Sequence, residues 1–542
     1  WQKIAFHRDN WRTSSHPSPH AAAGMACVAA ARVAPCAGRV DARSGRARVR
    51  ATRRTASSFV ARTSASKTRA SETTTSPVDD ARDVCDVAVV GAGPGGLAAA
   101  LALQRQGYDV RVFEQREAFR PAGVAVFIWP HGLQHLKRID PETCARVIAA
   151  GATIDTIAVE RLDPGATEPE ELLTINVAGW SERMDLPPQI GITWARLTDA
   201  LRAGLEPGTV FLGHALETVR DDKRNGVTLT FAPTRSGAPA PPAVRARVCV
   251  IGADGRNSKV RAAVFGDEED RRWGRRNIFG GRGGKSSDSP ENNANVYYAL
   301  SPNPPPGCGA SNGCLNELRF SLCDGSGISL LDVGRGNLDL PSVDGSVGPV
   351  ADATARDGTG QLMFGTTRFS EPAVVFETPK ERLSHLRGMF TETTDLISAA
   401  IASTDADLVV QTTLYERNGA KEWSKGRVAL LGDAAHCMYP SLGLGISTAF
   451  ADAVELKERL ENNEHDEASI EEALLLYSRR RGPYARALQT VSRLMHSVLA
   501  ATAETPRMTD ASSGDKNAFS RLDPSAAFFK MWQGALWVFG DR

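Results

Sequence analysis

Gly91, Gly93 and Gly96 stand at GxGxxG spacing directly after an apolar run, residues 87 to 90, and Glu114 closes the next apolar run. Glycines at this spacing suit a turn that cradles phosphate. Gly91 permits the tight bend, Gly93 lets a pyrophosphate approach bare backbone, and Gly96 lets the following helix pack closely on the strand. The helix N-terminus then presents unpaired N–H groups and positive dipole to the phosphates. A carboxylate at Glu114 accepts hydrogen bonds from both ribose hydroxyls of an adenosine and repels a 2′-phosphate. Strand, glycines, helix, second strand and acid fall in register, so the unit reads as a dinucleotide site for FAD or NAD, not NADP.

Two further turns of the same kind follow. Residues 248–261, VCVIGADGRNSKVR, place Asp254 and Gly255 after an apolar strand, with Ser258 and Arg261 beyond. Residues 426–456 run strand, Gly432–Asp433, Pro440, a loop with Gly443 and Gly445, and a helix. Asp433 is placed to hold a sugar hydroxyl, and a helix starting near Ser447 offers its dipole to an anion or an electron-rich ring. His436 is titratable and close to the turn, which fits a general base; a cap on the turn's backbone is the reading preferred. Trp423 reads as packing, and Cys249 and Cys437 as small buried hydrophobes.

The elements that must position these turns show in the pattern of the chain. Strand-like runs occur at 153–160, 172–178, 296–300, 317–323, 327–333, 361–369 and 408–415, and amphipathic helical runs at 96–106, 196–204, 379–402, 447–461 and 468–500. Between them, 163–171 reads as a hairpin turn, and 233–243, 302–314 and 334–360 as loops. The order predicts an α/β fold: a Rossmann-like cofactor domain in discontinuous pieces, an inserted mixed or antiparallel β-sheet domain, and a C-terminal helical segment. The expected boundaries are 1–80 disordered, 82–150 first cofactor-binding part, 151–190 sheet insertion, 191–275 second cofactor-binding part, 276–415 sheet domain, 416–500 third cofactor-binding part and 501–542 tail.

Taken together, the three turns resemble the class A flavoprotein monooxygenases, the p-hydroxybenzoate hydroxylase-like family, over roughly Asp86 to Arg493. The resemblance implies tightly bound FAD, with NADPH or NADH as transient co-substrate. It implies that Gly91, Gly93, Gly96 and Glu114 bind the ADP half, that Asp254 and Gly255 serve FAD and the nicotinamide nucleotide, and that Gly432 and Asp433 bind the ribityl and ribose part. Pro440 and the loop Gly443, Gly445 and Ser447 would lie against the isoalloxazine, as would Arg196 in TWARLTDALRAGL. Residues 123–133, GVAVFIWPHGL, resemble the segment that covers the flavin. Two departures stand out: the loop reads GLGIS, with Ser447 where an amide side chain is usual, and His131 replaces a common asparagine. Tyr297, Tyr298, Arg319, Phe320, Phe364 and Arg368 fall on strands of the expected substrate sheet, with the inward face left open.

The reaction so implied uses the nicotinamide nucleotide and molecular oxygen to hydroxylate or epoxidise a small aromatic or isoprenoid substrate, so no catalytic side chain is singled out. A flavin-dependent reductase or halogenase of the same fold, and a non-catalytic FAD-binding redox sensor, stay open. An NAD dehydrogenase would leave the second and third turns without a purpose.

Composition bounds the remainder. The 542 residues sum to a net charge of +1, so nothing global argues for a nucleic-acid partner. There is no apolar run of transmembrane length. Between Met25 and Ala70 there are ten arginines and one acid, Asp41. An Arg- and Ser-rich, acid-poor stretch is the signature of a transit peptide, which predicts delivery to the plastid stroma and disorder in this segment. Met25 reads as a natural start, with residues 1–24 as upstream translation. The nine cysteines form no CxxC and no metal-ligand spacing, so reduced thiols and no metal are expected.

Overall fold

From Val87 to Val90 every side chain is buried, as a central parallel strand covered on both faces requires. The computed structural model describes residues 59–62, 83–119, 124–162, 169–223, 225–235, 237–266, 295–301, 316–323, 325–335, 360–368, 376–390, 394–413, 416, 420–461 and 466–504. All belong to the unit Ser58–Arg542.

Val84–Val90 pairs in parallel with Val110–Glu114 on one side and Val244–Gly252 on the other. Val210–Leu212 continues the parallel set beyond Val110–Glu114. The far edge of Val244–Gly252 is shared: its first half pairs antiparallel with Gly226–Ala232, and its last three residues pair in parallel with Val428–Leu430. The three glycine turns therefore leave the same end of adjacent parallel strands, the usual place for a ligand in such sheets. Pro94–Gln104, with proline in its first turn, packs between this sheet and the helix Gly445–Leu460. Leu97, Leu101 and Leu103 are fully buried there, each worth ~1.5–3 kcal/mol by burial.

A second sheet has seven strands in the order Val410–Thr413, Asn295–Ser301, Gly360–Arg368, Ser326–Arg335, Glu317–Cys323, Thr156–Arg161, Glu170–Asn176. It is mixed: Glu317–Cys323 and Thr156–Arg161 run parallel, and the other pairs run antiparallel. Alternation sorts its side chains. Tyr297, Ala299, Ile328 and Leu330 join the cluster under the helices Pro379–Met389 and Asp395–Ala402. Tyr298, Leu318, Phe320, Leu331 and Val333 join a cluster with Trp129, Leu442 and Leu444. A small antiparallel sheet, Ala125–Ile128, Gln189–Thr193 and Ala152–Ile154, lies so close to Ser326–Arg335 that a Cβ on Gly191 would sit 2.2 Å from the Asp332 carbonyl.

The α/β class, the discontinuous cofactor domain, the mixed sheet and the C-terminal helix, Glu467–Glu504, are as the sequence predicts. One expectation is corrected. Phe59–Arg62, inside the segment expected to be disordered, forms an edge strand antiparallel to Ala215–Asp222. Four residues with aromatic and branched members suffice to extend an existing ladder, whatever the composition around them. The rest of residues 1–80 lies outside the described residues. No helix among the described residues is long and apolar enough to cross a membrane.

Candidate functional site

The first turn is built by close approach. Gly91 has φ +106°, and a Cβ there would lie 2.4 Å from the Ala253 carbonyl oxygen; a Cβ on Gly96 would lie 2.1 Å from the Gly91 oxygen. Both positions therefore require glycine. Gly93 differs: a Cβ would meet nothing within 4 Å. It is the N-cap of Pro94–Gln104, which has no side-chain cap and no acid in its first turn, so no side chain takes the first N–H groups of that helix. Glu114 lies at the end of its strand. One carboxylate oxygen accepts the Ala92 N–H and the other the Arg116 N–H, each at 3.0 Å. Each oxygen keeps a second lone pair for a hydroxyl.

The second turn is more architectural than expected. Asp254 accepts the Ser258 hydroxyl at 2.5 Å and the N–H groups of Lys259 and Val260 at 2.6 and 3.1 Å. Burial raises its carboxyl pKa, and these bonds oppose the rise. Asp254 thus shapes the turn, while Gly255, with φ +75° and nothing within 4 Å of a Cβ, presents open backbone. Arg261 reaches across to the Ala434 carbonyl at 3.5 Å, tying the second turn to the third.

In the third turn Gly432 has φ +62° and leads into the four-residue helix Asp433–His436. Asp433 is exposed, yet the protein massed around it raises its carboxyl pKa against the pull of His436 and Arg256. Its carboxylate makes no hydrogen bond among the described residues. The sequence's preferred role for His436 does not hold: its ring does not cap backbone. His436 is fully buried, with Nε2 2.7 Å from Asp452, and the ring stacks on Trp423 at 5.0 Å. Asp452 does the capping, accepting the Gly432 N–H at 3.2 Å, and it pairs with Arg481 at 2.7 Å. Burial alone would raise the Asp452 pKa; His436 and Arg481 hold it below the ordinary value.

Pro440–Leu442 is a short 3-10 turn that hands over to Gly443, φ +63°. A Cβ at Gly443 would lie 2.0 Å from the Phe127 ring, and the Trp129 indole N–H donates to the Leu442 carbonyl at 2.9 Å. The segment expected to cover the flavin thus packs on this loop; Gly123 lies outside the described residues. Gly445 begins its helix with open space around a Cβ and no side-chain cap. Ser447 does not face that space. It is 1% exposed, and its hydroxyl lies against Gly132 with no hydrogen-bond partner among the described residues, because the buried stripe of the helix turns it toward Pro130–Ile139. Arg196 is buried and donates to the Val333 carbonyl at 3.0 Å, bracing the cofactor domain on the second sheet.

Sequence reading gave Asp452 and Arg481 no individual role, Asp452 being only part of a departure from the family loop and Arg481 one of a helix's arginines, and it took Phe127 only as part of the segment 123–133. For Arg481 a signal existed, since Tyr477, Arg481, Ala485 and Leu488 recur on one helix face and all four are buried. Among the described residues no group of three or more His, Cys, Asp or Glu could hold a metal.

These residues fit FAD. Bare backbone at Gly93, Gly255 and Gly445, a two-oxygen acceptor at Glu114 and an unbonded carboxylate at Asp433 are what a pyrophosphate, an adenosine ribose and a polyol chain need.

The FAD binding domain family matches residues 84–280 and 390–492. The aurachin C monooxygenase/isomerase of Stigmatella aurantiaca is 26% identical over 370 residues, covering 68% of this chain and 79% of that protein. The chloroplastic zeaxanthin epoxidase of Spinacia oleracea is 24% identical over 385 residues, covering 68% of this chain and 46% of that protein; the chain spans about half the length of the zeaxanthin epoxidases it matches. In fold it is similar to Klebsiella pneumoniae HpxO complexed with FAD and uric acid, with TM-score 0.59 at 19% identity, covering 84% of this chain and 95% of that one. The family match spans more than half of the sequence, so the chain belongs to the FAD binding domain family and is a FAD-dependent oxidoreductase of the monooxygenase class.

Proposed function

We propose that the protein uses NADPH or NADH and molecular oxygen to hydroxylate or epoxidise a small, largely apolar aromatic or isoprenoid substrate. One observation carries this reading. The face of the second sheet that bears Tyr298, Phe320, Leu331 and Val333 meets the cofactor loop at Leu442 and Leu444, with Phe127 and Trp129 beside them. Aromatic and aliphatic walls beside a flavin loop suit an apolar substrate and exclude water. The same packing favours one answer to the face left open in the sequence: Tyr298 and Phe320 pack in the cluster with the cofactor loop, and Tyr297 in the cluster on the other side.

When bound, FAD supplies the hydride and oxygen chemistry that no side chain here offers. The chain's own residues do the rest. The N–H groups after Gly93 take the pyrophosphate, Glu114 the adenosine ribose, and Asp433 a hydroxyl of the flavin half. The open helix start at Gly445 offers positive dipole to the ring. Overall, substrate, dioxygen, NAD(P)H and a proton give oxygenated product, water and NAD(P)+. The Arg-rich segment before Ala70 and the chloroplastic relatives support a plastid location.

The test is NADPH- or NADH-dependent oxygen uptake against a panel of phenolic, quinone-precursor and isoprenoid compounds, with 18O2. Substrate-stimulated uptake with one labelled oxygen in the product is expected. Turnover without label would point to a reductase or halogenase, and a failure of every compound to stimulate reduced-nucleotide oxidation would point to a redox sensor.

A further inference from the structure

Asp433 sits between two anchors that end on a single carboxylate. On one side, the Gly432 N–H meets Asp452 Oδ2 at 3.2 Å. On the other, the His436 ring meets the same oxygen at 2.7 Å. The helix between them is four residues long, has no side-chain cap and starts from a glycine at φ +62°, so it has little rigidity of its own. The remaining oxygen of Asp452 accepts the Arg481 Nε–H at 2.7 Å, and Arg481 also donates to the Thr448 carbonyl at 3.3 Å. Asp452 and His436 are 0% exposed and Arg481 7%. The His436 ring is fixed from its face by Trp423, and the Arg481 guanidinium lies 4.8 Å from the Tyr484 ring centre.

We propose that Asp452 is a positioning residue for FAD binding: by holding both ends of the third turn it fixes the direction in which Asp433 presents its carboxylate. A carboxylate is needed because it only accepts, and all three groups facing it are donors. Its partner Arg481 supplies the charge without which a buried carboxylate would be strongly destabilising. This rests on the role proposed for Asp433, and the experiment keeps the two claims apart.

The experiment is a double-mutant cycle on FAD affinity, read by fluorescence quenching in the apoproteins of wild type, Asp452→Asn, Asp433→Ala and the double variant, with melting temperatures measured alongside. An asparagine sets its N–H2 either against the Gly432 and His436 donors, so that both anchors of the turn are lost, or against the Arg481 Nε–H, so that the charge pair holding the side chain in place is lost. Asp452→Asn should weaken FAD binding about tenfold in the wild-type background and by less than about twofold once Asp433 is alanine, because a positioning residue has nothing left to position. An equal loss in both backgrounds would overturn the proposal and leave Asp452 a structural residue. An unchanged affinity for Asp433→Ala would instead sink the role of Asp433. Should Asp452→Asn not fold, His436→Leu, which removes one anchor while the Asp452–Arg481 pair stays whole, is cycled against Asp433→Ala with the same two outcomes.

Discussion

Replacing Asp433 by alanine should separate cofactor binding from folding. The carboxylate is exposed and makes no hydrogen bond among the described residues, so the fold loses no hydrogen bond with it and only the screened attraction of His436 and Arg256. Its pKa is raised above the ordinary 3.8, first by burial. The sign follows from linkage: an acid with a raised folded pKa contributes stability below its unfolded pKa and loses it as pH rises through the folded value. At neutral pH the charged group therefore works against the apoprotein, and Asp433→Ala should leave its melting temperature unchanged or slightly higher. Binding should behave oppositely. A hydrogen bond from a hydroxyl to a charged acceptor is worth ~1.5–3 kcal/mol, which is roughly ten- to a hundredfold in Kd. Thermal melts of the apoproteins and FAD titration by fluorescence quenching measure both. Undiminished affinity, or an apoprotein that melts several degrees lower, would refute the reasoning.

Gly93→Val should fold normally yet retain no flavin, because φ −73° and ψ 170° suit any residue and a Cβ there meets only open space; Gly96→Val should lower the melting temperature as well, since its Cβ would press on the Gly91 carbonyl. Removing residues 1–58 should leave the melting temperature unchanged, whereas removing 1–62 should lower it by uncovering the Ala215–Asp222 edge; equal melts would show that the edge strand contributes nothing. Burial depresses the pKa of His131 to about 4 and, as the first of several causes, that of His135 to about 3. Stability from these two groups is therefore complete above pH ~6.5 and lost as pH falls toward the folded values, so urea midpoints should drop between pH 7 and 4.5, and His135→Leu should flatten that drop.

The cofactor side of the fold was legible because it is written in local signals: glycines where backbone crowds backbone, and apolar strands ending in an acid. Gly91 and Gly96 declare themselves by type and spacing alone. Ser447 and Asp254 were harder, since their roles depend on which way a turn or helix face points, and Ser447 turns into the helix–helix contact at Gly132. The Arg481–Asp452–His436 network joins residues 16 and 29 apart, a juxtaposition made by packing two helices on one turn, which no local pattern encodes. Phe59–Arg62 was hidden for a different reason: an edge strand needs only a ladder to join, and that ladder, Ala215–Asp222, lies far along the chain.

The central claim is that one FAD lies stretched between Glu114 and Asp433, and fragment binding tests it most directly. ADP and FMN carry the two halves separately, and each can be titrated into the apoproteins of wild type, Glu114→Ala and Asp433→Ala, ADP by calorimetry and FMN by fluorescence quenching. The account predicts that Glu114→Ala weakens ADP binding and spares FMN, that Asp433→Ala weakens FMN binding and spares ADP, and that FAD suffers in both. ADP affinity untouched by Glu114→Ala, or FMN affinity untouched by Asp433→Ala, would contradict it.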